Sequence, residues 1–165
     1  MDNIILIGMP GCGKSTVGVL LAKRLGYRYT DVDLLIQETA GKRLFEILRD
    51  DGEAYFTALE NRVGASIDAT RTVIATGGSM VYGKEAMRHL RSIGKVVYLR
   101  VPLAELTKRV NNFETRGILM RQGQTLSDIY AERTPLYEQY ADITVDCDGG
   151  DLTDNALRIE NALGL

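Results

Sequence analysis

Paired cysteine motifs, cationic tracts and long apolar runs are all missing from these 165 residues. The two cysteines, Cys12 and Cys147, have neither CxxC nor histidine-paired spacing, so no zinc site or disulfide framework is indicated. The single histidine, His89, stands in a helical pattern between Arg88 and Arg91 and reads as a surface residue rather than a base. No run of Lys and Arg exceeds two, and a net charge of −2 with a pI near 5.5 argues against a nucleic-acid surface. The apolar stretches are far too short to span a bilayer, and the first runs straight into a glycine loop without a cationic leader. These absences leave a cytoplasmic protein, without membrane or nucleic-acid partners, as the expectation. At 45% hydrophobic and 25% charged residues, the chain has the composition of one compact domain with a full core.

What is present is concentrated near the start. Gly8-Met9-Pro10-Gly11-Cys12-Gly13-Lys14-Ser15-Thr16 follows the apolar run Ile4-Ile5-Leu6-Ile7 and precedes a helical pattern. Glycines in this spacing let successive backbone N–H groups point at one phosphate, and the helix adds its positive end. Lys14 is expected to reach the β- and γ-phosphates, and Ser15 to place its hydroxyl on Mg²⁺. Cys12 fills a variable position of the loop, where packing is the expected role of its side chain. A nucleoside triphosphate, ATP or GTP, is the predicted ligand, with Gly11, Cys12, Gly13, Lys14, Ser15 and Thr16 around its phosphates.

Apolar runs at Asn3–Gly8, Tyr29–Val32, Thr72–Thr76, Lys95–Val101 and Ile143–Asp146 alternate with helical patterns, which predicts a parallel sheet wrapped by helices. Val17, Leu20, Leu21 and Leu25 share one helical face that stops at Gly26. Residues 33–50 and 53–70 read as two further helices broken at Asp51-Gly52, inserted beside the sheet where a second substrate would sit. The polar, glycine-containing interval 111–125 has the length and composition of a functional lid.

Several short motifs follow one another in order: the phosphate loop, Asp31-Val32-Asp33, Gly52-Glu53, Phe56-x-x-x-Glu60, Gly77-Gly78, Thr115-Arg116-Gly117-Ile118-Leu119 and Arg133-x-x-Leu136-Tyr137. Together, from about Ile4 to Asp146, they resemble the shikimate kinase family. The resemblance implies a three-layer α/β P-loop kinase fold of the nucleoside-monophosphate-kinase type, with a central five-stranded parallel sheet and helices on both faces. It implies a single domain, with an acceptor-binding insertion at about 31–62 and a lid at about 111–125. It assigns Asp31, with Ser15, to Mg²⁺, Asp33 to the acceptor hydroxyl and its proton, and Arg116 to charge on the transferring phosphate. Arg109 would cover the adenine ring, and Arg133 would grip a carboxylate. Gly77 and Gly78 would meet the acceptor or γ-phosphate through their N–H groups.

Three positions depart from the family pattern. Thr57 stands where a second carboxylate-binding arginine is usual, Ser79 replaces a third glycine, and Gly117 replaces a proline. Loss of the arginine leaves Glu60 able to pair with Arg133 instead. The expected reaction is ATP-dependent phosphorylation of an alcohol on a small polar metabolite, shikimate to shikimate 3-phosphate, in chorismate and aromatic amino-acid biosynthesis. The partners expected are ATP/ADP and that acceptor, with the chain acting as a monomer. Two alternatives stay open: a kinase of the same fold for another hydroxylated compound, such as a neutral polyol, and a nucleotide-binding regulatory module without transfer activity.

Overall fold

The computed structural model describes residues 3–109, 118–120 and 123–165. Five strands, β1 (Asn3–Ile7), β2 (Arg28–Asp31), β3 (Thr72–Ala75), β4 (Gly94–Arg100) and β5 (Ile143–Asp146), form one sheet in the order β2-β3-β1-β4-β5. Every pairing is parallel, with Ile5 opposite Ile74 on one side and Val96 on the other. Every residue of β1 and β3 is buried, as continuous apolar strands covered on both faces must be. The sheet is the one the sequence predicts.

Helix α1 (Lys14–Leu25) carries the chain from β1 toward one edge, and α5 (Lys84–Ile93) carries it from β3 back across β1 toward the other. Right-handed crossovers in opposite directions lie on opposite faces, which produces the three layers. Helix α8 (Leu152–Leu163) packs beside α1, while α7 (Leu126–Tyr140) packs on β4 and against the short α6 (Leu103–Arg109). Asn3, fully buried, fastens the sheet's lower end: its amide nitrogen donates to the carbonyls of Ala69 and Ile93, and its oxygen accepts from Thr72 N–H.

Between β2 and β3 the structure corrects the sequence reading. Residues 33–50 are not one helix but two, α2 (Val32–Ala40) and α3 (Leu44–Asp50). Gly41 ends the first at φ 67°, a left-handed conformation suited to glycine, and its N–H returns to the Gln37 carbonyl. Periodicity alone could not show the interruption, because apolar residues continue on both sides. The next helix, α4 (Glu53–Ala65), stops before residue 70, with Ser66 Oγ donating to the Val63 carbonyl.

Gly64 lets α4 approach its neighbours closely: a Cβ there would meet Ala86 Cβ at 2.7 Å and Met80 Sδ at 2.8 Å. Gly64→Val should therefore lower stability by about 1–3 kcal/mol through overpacking. The check is thermal unfolding, where an unchanged Tm would refute the close crossing.

Candidate active site

The first loop, between β1 and α1, curls as its glycines predict, with Gly11 at φ 80° and Gly13 at φ 96° in the left-handed region. Lys14 is buried, and its ammonium donates to the carbonyls of Gly8 at 2.7 Å and Met9 at 2.9 Å, bracing the curl from within. Cys12 is buried beneath the loop with its sulfur 3.5 Å from the same ammonium, which makes its side chain part of the packing. Ser15 and Thr16 remain exposed at the start of α1.

Asp31, at the end of β2, serves two elements with its two oxygens. Oδ1 accepts from the Asp33 N–H and caps α2, while Oδ2 accepts from the Ser15 hydroxyl at 3.0 Å and from the Tyr29 hydroxyl at 3.3 Å. A hydroxyl and a carboxylate oxygen on an accessible rim are hard donors of the kind Mg²⁺ takes, with water and phosphate completing its shell. The donor set therefore fits the ion expected there.

Asp33, in the first turn of α2, lines an open cleft of about 160 Å³ that also holds Lys14, Glu60, Gly77, Gly78 and Arg133. The glycines admit the other groups. A Cβ on Gly77 would lie 2.7 Å from Asp33 Oδ1 and 3.2 Å from Glu60 Oε2. One on Gly78 would lie 2.8 Å from Pro10 and 3.1 Å from Arg133 Nη1. Burial pushes the Asp33 carboxyl up to about 6, helped by the Asp31 charge and opposed by the Lys14 ammonium.

Arg133 is fully buried on α7, a burial that demands several partners. Its guanidinium donates to the Leu119 carbonyl and weakly to the Tyr82 hydroxyl at 3.4 Å, and lies 5.4 Å from the Tyr82 ring centroid. Among the described residues it forms no ion pair. Tyr137, one turn later, donates to the Gly78 carbonyl at 2.6 Å and holds that loop in place.

Glu60 does not take up Arg133, contrary to the pairing the sequence suggests. Its Oε1 accepts from the Ser79 hydroxyl at 2.7 Å, while Oε2 is buried without a hydrogen-bond partner. Burial pushes its carboxyl up to about 7; the Asp33 charge adds to this, against the Ser79 hydrogen bond and the Arg133 charge. Ser79 sits at φ −94°, an ordinary conformation for serine, so the missing third glycine costs the backbone nothing.

The remaining expected residues are placed less centrally. Thr57 lies outside the lining of the cleft, half-buried between two adjoining hollows, one of which shares Arg133 with it. Arg109 ends α6 with its guanidinium on Glu105 at 3.1 Å and is not among the cleft residues. Arg116 and most of the expected lid, 111–117, lie outside the described residues, although Ile118 and Leu119 line the cleft. His89 Nε2 donates to the Ile67 carbonyl, 2.7 Å away, a structural tie between α5 and the segment that follows α4. Sequence reasoning missed Tyr82, Tyr137 and the Ser79–Glu60 bond; the only signal was the neighbouring Arg133 motif and the serine at a glycine position.

The Shikimate kinase family matches residues 10–163. The shikimate kinase of Persephonella marina is 36% identical over 90% of this chain and 91% of its own. That of Gloeobacter violaceus is 42% identical, covering 89% of this chain and 84% of the relative. Among solved structures, a shikimate kinase from Acinetobacter baumannii in complex with shikimate superposes with a TM-score of 0.89 at 32% identity, over 99% of this chain and 94% of that one. Among the described residues, no helix is long and apolar enough to cross a membrane.

A carboxyl raised in the folded state binds protons more tightly there than in the unfolded chain. Glu60 should thus make stability fall as pH rises from about 4.5 toward 7, its ordinary and folded values. Glu60→Gln removes that loss, and at pH 8 it should be more stable than the parent by ~1–3 kcal/mol, the difference closing below pH 4.5. Thermal unfolding at both pH values checks this; a variant less stable at pH 8 would contradict it.

Proposed function

We propose, on the premise that this chain belongs to the shikimate kinase family, that it moves the γ-phosphoryl group of ATP to a hydroxyl of shikimate, releasing ADP and shikimate 3-phosphate. The observation that carries this is one cleft lined by the phosphate loop, Asp33 and a buried guanidinium, Arg133, that has no ion pair among the described residues.

The acceptor oxygen attacks the γ-phosphorus in line, the bond to the β–γ bridging oxygen breaks with its electron pair leaving on ADP, and the hydroxyl proton passes to the Asp33 carboxylate. Phosphoryl transfer asks mainly for position and charge, so Asp33 serves first by aiming the hydroxyl. Its elevated carboxyl suits it to accept a proton near neutral pH. Lys14 and the loop N–H groups hold the phosphates, and Ser15 with Asp31 would hold Mg²⁺, which when bound neutralises phosphate charge. Arg133 takes the acceptor carboxylate, with Gly77 and Gly78 as the floor. Arg116, Arg109 and the lid 111–125 retain their family-derived roles in this reading: charge on the transferred group, cover for adenine, and exclusion of water. Cytoplasmic action as a single copy belongs to the same reading.

ADP release on adding shikimate tests the reaction; nucleotide binding without acceptor-dependent ADP release would favour the regulatory alternative, and a preference for polyols the other. Asp33→Asn should lower kcat by about 10²–10⁴ and abolish the fall in kcat expected of the parent as pH drops through about 6. A kcat within tenfold of the parent would remove Asp33 from proton transfer. Thr57→Arg should tighten shikimate binding by about ten- to a hundredfold, the gain from one more charge-assisted hydrogen bond. Calorimetry reads it, and unchanged affinity would show that the hollow beside Arg133 does not receive the carboxylate end.

A further inference from the structure

Among the described residues, the cleft holds two carboxylates, Asp33 and Glu60, beside the Arg133 guanidinium, so ionising both acids weakens the attraction of Arg133 for an anion. Asp33 must ionise to take a proton. Glu60 has no such duty, and its two oxygens stand in different situations: Oε1 is held by Ser79, while Oε2 is buried, unpartnered and against Gly77 at the cleft wall. A buried carboxyl oxygen without a donor is costly as a charge and useful as an O–H.

We propose that Glu60 is a specificity-determining residue that presents Oε2 to the acceptor as a carboxylic acid, donating a hydrogen bond that supplements Arg133 for an anionic acceptor. On ionising it turns the cleft against that anion. This rests on the phosphoryl-transfer reading of the same site.

Among the described residues, three groups bear on the charge of Glu60. Asp33 from α2 disfavours its charge, while Arg133 from α7 and the Ser79 hydroxyl favour it. The buried residues of α3, the turn Met80–Tyr82 and α5 are all apolar. Its carboxyl, pushed up to about 7, therefore exchanges its proton in the range where the enzyme would work. Thr57, one turn earlier on α4, supplies no charge to hold Glu60 ionised.

The test compares shikimate with its methyl ester, which lacks the negative charge, between pH 6.5 and 9. For the parent, KM for shikimate should rise by up to about tenfold per pH unit above about 7, with kcat nearly level and the ester's KM flat. Calorimetry at pH 8 in buffers of different ionisation enthalpy should show nearly one proton taken up per shikimate bound. Glu60→Gln, which keeps a donor and an acceptor, should erase both the slope and the proton uptake. Ser79→Ala withdraws a donor that favours the ionised form and should move the break to higher pH, providing a second route should the first variant fold poorly. A flat parent profile, a slope that persists in Glu60→Gln, an equal slope with the ester, or an unmoved break in Ser79→Ala would each overturn the proposal. No ADP from either acceptor at any pH would instead overturn the transfer reading itself.

Discussion

Everything in the cleft depends on how closely side chains can approach the bare backbone of Gly77 and Gly78. Asp33 rests against the first and Pro10 of the phosphate loop against the second at separations that a Cβ would not permit, with Glu60 and Arg133 in tight contact beside them. This pair follows β3, whose neighbours in the sheet are β1 and β2, so the turns leaving three adjacent strands meet at one edge. Open parallel sheets bind ligands at that edge because successive loops diverge there and leave a crevice. Tyr137 then fixes the Gly78 carbonyl from α7, completing the enclosure from the far side of the chain.

Convergence of this kind concentrates charge, and the molecule balances it locally. Lys14 is bound to two backbone carbonyls rather than to a carboxylate, so its charge is not cancelled by a fixed counter-ion. Arg133 likewise spends its donors on a carbonyl and a phenol hydroxyl. The acids between them respond to burial by holding protons more firmly than usual. Cations open to ligand and acids of adjustable charge are what a site for anionic substrates requires.

The sheet and the phosphate loop were legible in the sequence because each rests on short-range pattern: uninterrupted apolar strands, and glycines beside Lys14. Asp31 and Asp33 were legible for the same reason, lying on consecutive odd positions where a strand meets a helix. The break at Gly41 was not, since a left-handed residue leaves no mark on the apolar period. Nor was the Ser79–Glu60 bond, which joins residues 19 apart through a turn whose direction no local rule supplies. Thr57 was expected among the acceptor groups, but only coordinates place it beside the cleft rather than within it.

That placement matters to anyone designing inhibitors. The hollow between α4 and α7 reaches Arg133 and is bordered by Thr57, Tyr82 and Leu119. A compact side chain at 57 leaves the passage open, whereas an arginine would occupy it. A compound anchored on the Arg133 guanidinium could extend a short branch into this hollow and meet Thr57 there.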